Sequence, residues 1–204
     1  RSAPCHADAA CARSRAVADA ARGLLLLLIG GEICTASLLN TAGAAGGEAR
    51  APLVLTAYHC VRDAAALAKS PAKTVGAPPV RMDATFVFNW RAERCGETDA
   101  AWLAGGLQTL HGATLVAHSA NSDLALLRLR SPVPAAYRAR LLGWDAAPTP
   151  PNATVVLHHP RGDLAKFARD AQPPTAARYC DACCDDPHKS AAGGAASAAG
   201  AAQC

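Results

Sequence analysis

Two short segments carry side chains whose chemistry depends on a partner. The first is Leu53-Val-Leu-Thr-Ala-Tyr-His-Cys60, an apolar run that ends in Thr56-Ala57 and a histidine directly followed by a cysteine. An imidazole that works as a general base must reach both a hydroxyl and an orienting carboxylate, so it needs a rigid mount. A strand end supplies one for His59, and Cys60 can tie the following turn to a neighbouring strand. The second segment is Asn121-Ser-Asp-Leu-Ala-Leu-Leu-Arg-Leu129, in which Asp123 stands just before an apolar strand. A carboxylate there can accept a hydrogen bond from an imidazole, fix its tautomer and stabilise the imidazolium. Each residue also has a plainer reading. His59 could be a surface histidine beside a structural cysteine, and Asp123 a turn residue that opens a strand. The histidine precedes the aspartate in the chain, and each motif strengthens the other.

Taken together the motifs resemble those of trypsin-like serine endopeptidases: Thr-Ala-Tyr-His-Cys resembles their histidine motif, and Ser-Asp-Leu-Ala-Leu-Leu introduces the triad carboxylate there. Further segments narrow the resemblance to the bacterial lysyl endopeptidase branch. They are Cys34-Thr-Ala-Ser-Leu-Leu-Asn-Thr41, Phe88-Asn-Trp90 followed by Cys95, Gly143-Trp-Asp145 and His158-His-Pro160, in one order, with Cys5 and Cys11 as two early cysteines. The match covers roughly residues 5 to 168 and breaks at the alanine-rich insertions. It implies peptide-bond hydrolysis on protein or peptide substrates, with His59 as base and Asp123 as orienter. It also implies disulfides Cys34–Cys60 and Cys11–Cys95, and leaves Cys5 without its family partner. No cofactor is implied.

The resemblance requires a nucleophilic serine in a Gly-Asp-Ser-Gly or Gly-Ser-Ser-Gly turn of the second barrel, and none is present. Seven serines, Ser2 to Ser131, precede the proline pair Pro132 and Pro134, and only Ser190 and Ser197 follow it, in alanine-glycine surroundings without a tight turn. The expectation is therefore a chain that stops short of the nucleophile and is inactive as it stands. The alternative is a non-catalytic homologue that binds or decoys. The lysine preference of the branch rests on pocket residues that lie in the absent part.

The elements that must position these residues are short apolar runs separated by Gly, Pro and Asn. Leu24–Ile29, Ile33–Leu39, Pro52–Thr56, Thr85–Trp90, Ala113–His118 and Asp123–Arg128 read as strands, the first extended past Gly30 and Gly31 into Ile33. Leu141–Trp144 and Thr154–His158 are strand-like as well, and Ala64–Lys69 could form a helical turn or two. Helical periodicity is otherwise weak up to residue 131. Many short strands with turn signals between them suggest an all-β sandwich or barrel. With the resemblance, the fold expected is the two-barrel trypsin-like one. Residues 1–131 make the N-terminal segment and a complete first β-barrel. Residues 132–170 make a linker and the opening strands of an incomplete second barrel, and residues 171–204 a low-complexity Ala/Gly/Cys tail that does not pack.

Composition excludes some functions. Of 204 residues 51 % are hydrophobic, many of them alanine, and only 4 % aromatic, so the core rests on the Leu and Val runs. The net charge is +4 and the basic residues are scattered along the sequence, which offers no stripe for nucleic acid. The longest apolar run, Leu24–Ile29, falls far short of the roughly 20 residues that span a bilayer, so no membrane association is expected. Nine cysteines, several at strand edges, suit an oxidising compartment and a secreted protein, and the odd count leaves at least one thiol without a partner in the chain. The sequence opens at Arg1 without a basic and apolar leader, so a signal peptide is expected either to have been removed or to lie outside this sequence. Adjacent His158 and His159 point to opposite faces of a strand and rarely share a metal. Cys180, Cys183, Cys184 and His188 have ligand-like spacing, but a zinc site needs a second pair, and only Cys204 follows them. They read as incidental or disulfide cysteines. Asn152-Ala-Thr154 fits a glycosylation sequon. Oligomeric state is not legible.

Overall fold

A computed structural model describes residues 2, 6–40, 52–63, 80–97, 106–145 and 151–170. Ala64–Lys69, Cys5 and the tail from residue 171 lie outside the described residues. The fold is all-β, with one short α-helix among the described residues. Among the described residues nine strands run in chain order: β1 Ala7–Asp8, β2 Leu24–Ile29, β3 Glu32–Leu39, β4 Leu53–Thr56, β5 Arg81–Phe88, β6 Gln108–Ser119, β7 Leu124–Leu129, β8 Thr154–His158 and β9 Lys166–Asp170. Six of them close an antiparallel barrel in the order β2-β3-β4-β7-β6-β5, with β5 returning to β2. The other three form an open sheet in the order β1-β9-β8.

Period-two alternation sets what the barrel encloses. Leu25, Leu27 and Ile29 of β2, Cys34, Ala36 and Leu38 of β3, Val54 of β4, Phe86 and Phe88 of β5 and Leu127 and Leu129 of β7 fill it. Two large phenylalanines against alanines at positions 36, 84, 113 and 125 let the facing layers interdigitate. The outward Leu24 is also buried. It packs with Ala9, Ala21 and Ala165 in a second small cluster that joins the barrel to the open sheet. Further links cross the same seam. The His159 amide donates to Thr35 Oγ1 at 2.9 Å, and Trp90 Nε1 donates to the Gly162 carbonyl at 2.9 Å.

Several strand boundaries differ from the sequence reading, each for a local reason. Gly30 and Gly31, at φ +58° and +88°, form a two-residue reversal, so β2 ends at Ile29 and pairs antiparallel with β3 rather than running on into it. β5 begins at Arg81 and ends at Phe88, because Asn89 takes a left-handed φ of +55° and turns the chain before Trp90. β6 is twelve residues long and takes in a register shift between Leu115 and Ala117. Leu141–Trp144 is not a strand: a single parallel bridge joins Leu142 to Leu39, and Trp144 stays exposed. Helix α1, Arg15–Ala20, lies in the stretch whose helical periodicity is weak, and its alternate alanines favour it locally. The N-terminal segment does not serve the barrel alone. β1 pairs with β9, Ala7 opposite Phe167, and Asp8 accepts a short charged hydrogen bond from Lys166.

Candidate active site

β4 and β7 run antiparallel with Val54 opposite Leu127 and Thr56 opposite Ala125. Two residues further along the same register, Tyr58 stands opposite Asp123, and the Tyr58 amide donates to the Asp123 carbonyl at 3.1 Å. The ladder thus outlives both strands by one bond and brings their ends together. Asp123 takes a left-handed backbone conformation, φ +48°, as the last residue of the turn from β6 into β7. An aspartate tolerates that conformation better than most residues.

The carboxylate of Asp123 then meets His59 twice. Oδ1 accepts from the His59 backbone amide at 2.9 Å, and Oδ2 accepts from the ring at Nδ1 at 2.7 Å. The two contacts fix the position and the plane of the imidazole together. Because Nδ1 faces a carboxylate, the neutral ring carries its proton there, and Nε2 keeps its lone pair. Partial desolvation works to raise the Asp123 carboxyl, but the hydrogen bonds from the His59 amide and ring, the charge of the imidazole and the Tyr58 amide outweigh it and hold it below its ordinary value. Both side chains are more than half exposed.

The turn that carries His59 is fastened from behind. The Tyr58 carbonyl accepts from the amides of Val61 and Arg62, both at 3.0 Å, which curls the chain and brings Cys60 back over β3. There Cys60 is bonded to Cys34, with Cα atoms 6.3 Å apart. Cys34, Cys60 and His59 lie close enough to suggest a metal cage, but the disulfide takes up both sulfurs. Closing a loop of 26 residues stabilises by about 3 kcal/mol in the chain-entropy picture. Thr56 adds a buried hydrogen bond to the Thr35 carbonyl, 2.9 Å. Cys11 and Cys95 form the other described disulfide, across 84 residues, and hold the N-terminal segment to the chain beyond β5.

Two contributors stand inside the quoted motifs but are given no role by them. Tyr58 stacks on His118 of β6 with ring centroids 5.1 Å apart and nearly parallel planes, which braces the residue before His59. Thr35 accepts from Thr56 on the barrel side and from His159 on the other, so it couples the histidine strand to the open sheet. Ordinary threonines and tyrosines on strand ends have no spacing that would single them out. His158 and His159 diverge as adjacent strand residues do: the His158 ring meets His6, and the His159 ring is buried against the Asp163 carbonyl.

A closed six-stranded antiparallel barrel with a histidine and an aspartate joined across adjacent strand ends, and a second sheet packed beside it, defines the trypsin-like class of fold. The chain belongs to the lysyl endopeptidase family: residues 1–194 match the family described as lysyl endopeptidase, C-terminal domain. No curated protein matches the chain.

Proposed function

We propose that the chain carries the base and orienter of a serine endopeptidase triad, His59 and Asp123, and that as given it does not hydrolyse peptide bonds. The double contact between Asp123 and His59 is the observation that supports the first half. With Nδ1–H engaged, Nε2 can take a proton from an attacking hydroxyl, and Asp123 stabilises the imidazolium that results. The second half rests on the sequence, in which no serine stands in a glycine-flanked turn. Such a turn supplies both the nucleophile and the amides that bind the oxyanion, and the loss of one such donor alone costs about a hundredfold in rate. Proteins are the substrate class that the family points to, cleavage after lysine is what its name describes, and the two disulfides support an extracellular setting.

Two measurements test the halves separately. Incubation with a fluorophosphonate and with lysyl, arginyl and generic peptide substrates should give neither labelling nor turnover above background. Labelling of any serine would defeat the claim of inactivity. Proton NMR should show a downfield Nδ1–H resonance from His59 that Asp123→Asn removes or shifts strongly upfield. A spectrum unchanged by that substitution would remove the base–orienter assignment, whatever the labelling result.

A further inference from the structure

Basic residues that are scattered along the sequence converge at one place in the fold. A cleft of about 590 Å³ opens between Arg22, just before β2, the segment Phe88–Glu93 after β5, the start of β6 and the linker residues Ala136–Arg138. Three arginines line it, Arg22, Arg91 and Arg138, against one acidic residue, Glu93, among the described residues. The strand register places it far from His59. β4 ends and β7 begins at the histidine end of the barrel, whereas the cleft gathers the start of β2, the end of β5 and the start of β6, which belong to the opposite end.

The guanidiniums are poorly compensated. Arg22 pairs with Asp19 at 3.2 Å, yet its Nε is buried without an acceptor among the described residues, and so is the Nε of Arg91. Arg91 is held below its ordinary pKa, first by burial and then by the charge of Arg22, with only Glu93 opposing. Bringing like charges together in a half-buried site is unfavourable unless a counter-charge joins them. The wall around them is built rather than loose. Asn89 Nδ2 donates to Gln108 Oε1 at 2.6 Å and to the Tyr137 carbonyl at 2.8 Å, and the Tyr137 hydroxyl donates to the Thr109 carbonyl at 3.2 Å. Arg138 follows directly in a left-handed conformation, φ +48°, which fixes where its side chain leaves the backbone.

We propose that this cleft binds a compact multivalent oxyanion, a phosphate ester or a polycarboxylate, independently of the His59–Asp123 site. Forked guanidiniums suit either chemistry, since both present paired oxygens. The volume lies within the range of small-molecule sites and exceeds what one inorganic ion fills.

The test is titration of the full chain by calorimetry with inorganic phosphate, citrate and chloride at matched ionic strength. Saturable binding of phosphate or citrate, absent for chloride, is expected, and the tighter of the two assigns the source of the oxyanion. Arg138→Ala alters an exposed side chain, so the fold should persist, and it should weaken binding about tenfold, the worth of one charged hydrogen bond. Glu93→Gln removes the opposing carboxylate and should tighten binding several-fold, a gain that misfolding cannot mimic. Equal response to chloride, or affinities unmoved in both variants, would overturn the proposal.

Discussion

His159 is 4 % exposed, and its Nδ1–H donates to the Asp163 carbonyl at 3.1 Å while Nε2 is buried without a partner among the described residues. Burial pushes this imidazole down from 6.5 to about 4, with smaller opposing effects from the Asp163 carbonyl and carboxylate. A histidine whose folded value is depressed contributes stability above its unfolded value, and that stability is lost as pH falls towards the folded value. The window is therefore pH 6.5 down to about 4, and the loss is about 3 kcal/mol by linkage. His159→Asn keeps a donor near Nδ1 and cannot be protonated. Urea midpoints of the variant should fall clearly less across that window than those of the parent, the remaining fall coming from His158, which burial and the charge of His6 also hold below its ordinary value; a parallel fall in both would show that another group is responsible. Asp163 titrates outside the window: the Ser2 amide and hydroxyl and the Leu164 amide outweigh its desolvation and hold its carboxyl at about 2.

At the scale of elements, the linker after the barrel is pinned rather than slack. Residues 140–142 lie along the barrel, where the Arg140 amide donates to the Arg22 carbonyl at 3.2 Å and the Leu142 amide to the Leu38 carbonyl at 2.8 Å. Gly23 lies directly beneath. A Cβ there would come within 2.6 Å of both the Arg140 carbonyl oxygen and Leu142 Cγ. Backbone cannot yield as a flexible side chain does, so Gly23→Ala should cost about 2 kcal/mol. Gly143→Ala, with nothing within 4 Å of its Cβ, serves as the control and should cost far less. Thermal unfolding of the pair measures this, and equal melting temperatures would show that the linker is free to move. These elements also mark what could be read in advance. Alternating apolar runs between glycines gave the barrel strands, because the 2.0 period and the turn residues are local properties. His59 and Asp123 stood out by their motifs, but their approach depends on the β4–β7 register, which is a property of the closed barrel. The pairing of Ala7 with Phe167 spans most of the chain and leaves no local trace. Leu141–Trp144 had the composition of a strand, yet among the described residues it found only one bridge partner.

At the scale of the molecule the two sheets differ in how they end. The barrel closes and has no edge. The three-stranded sheet leaves β8 paired on one side only among the described residues, and Val155 and Val156 of that strand are 39 % and 55 % exposed. Adjacent apolar residues on an unpaired edge invite pairing between copies. The chain should therefore self-associate as its concentration rises, and Val156→Lys, which places a charge on that edge, should suppress this in light scattering without lowering the melting temperature. Association unchanged by the lysine would assign it to another surface.

The closed barrel has a consequence for the order in which the protein is made. Every strand that holds His59 and Asp123 lies between Leu24 and Leu129, and so do both cysteines of the bond behind the histidine. Chains emerge from the ribosome N-terminus first and fold in units as they do. All the strands that bring the imidazole and the carboxylate together are thus synthesised before β8 and β9.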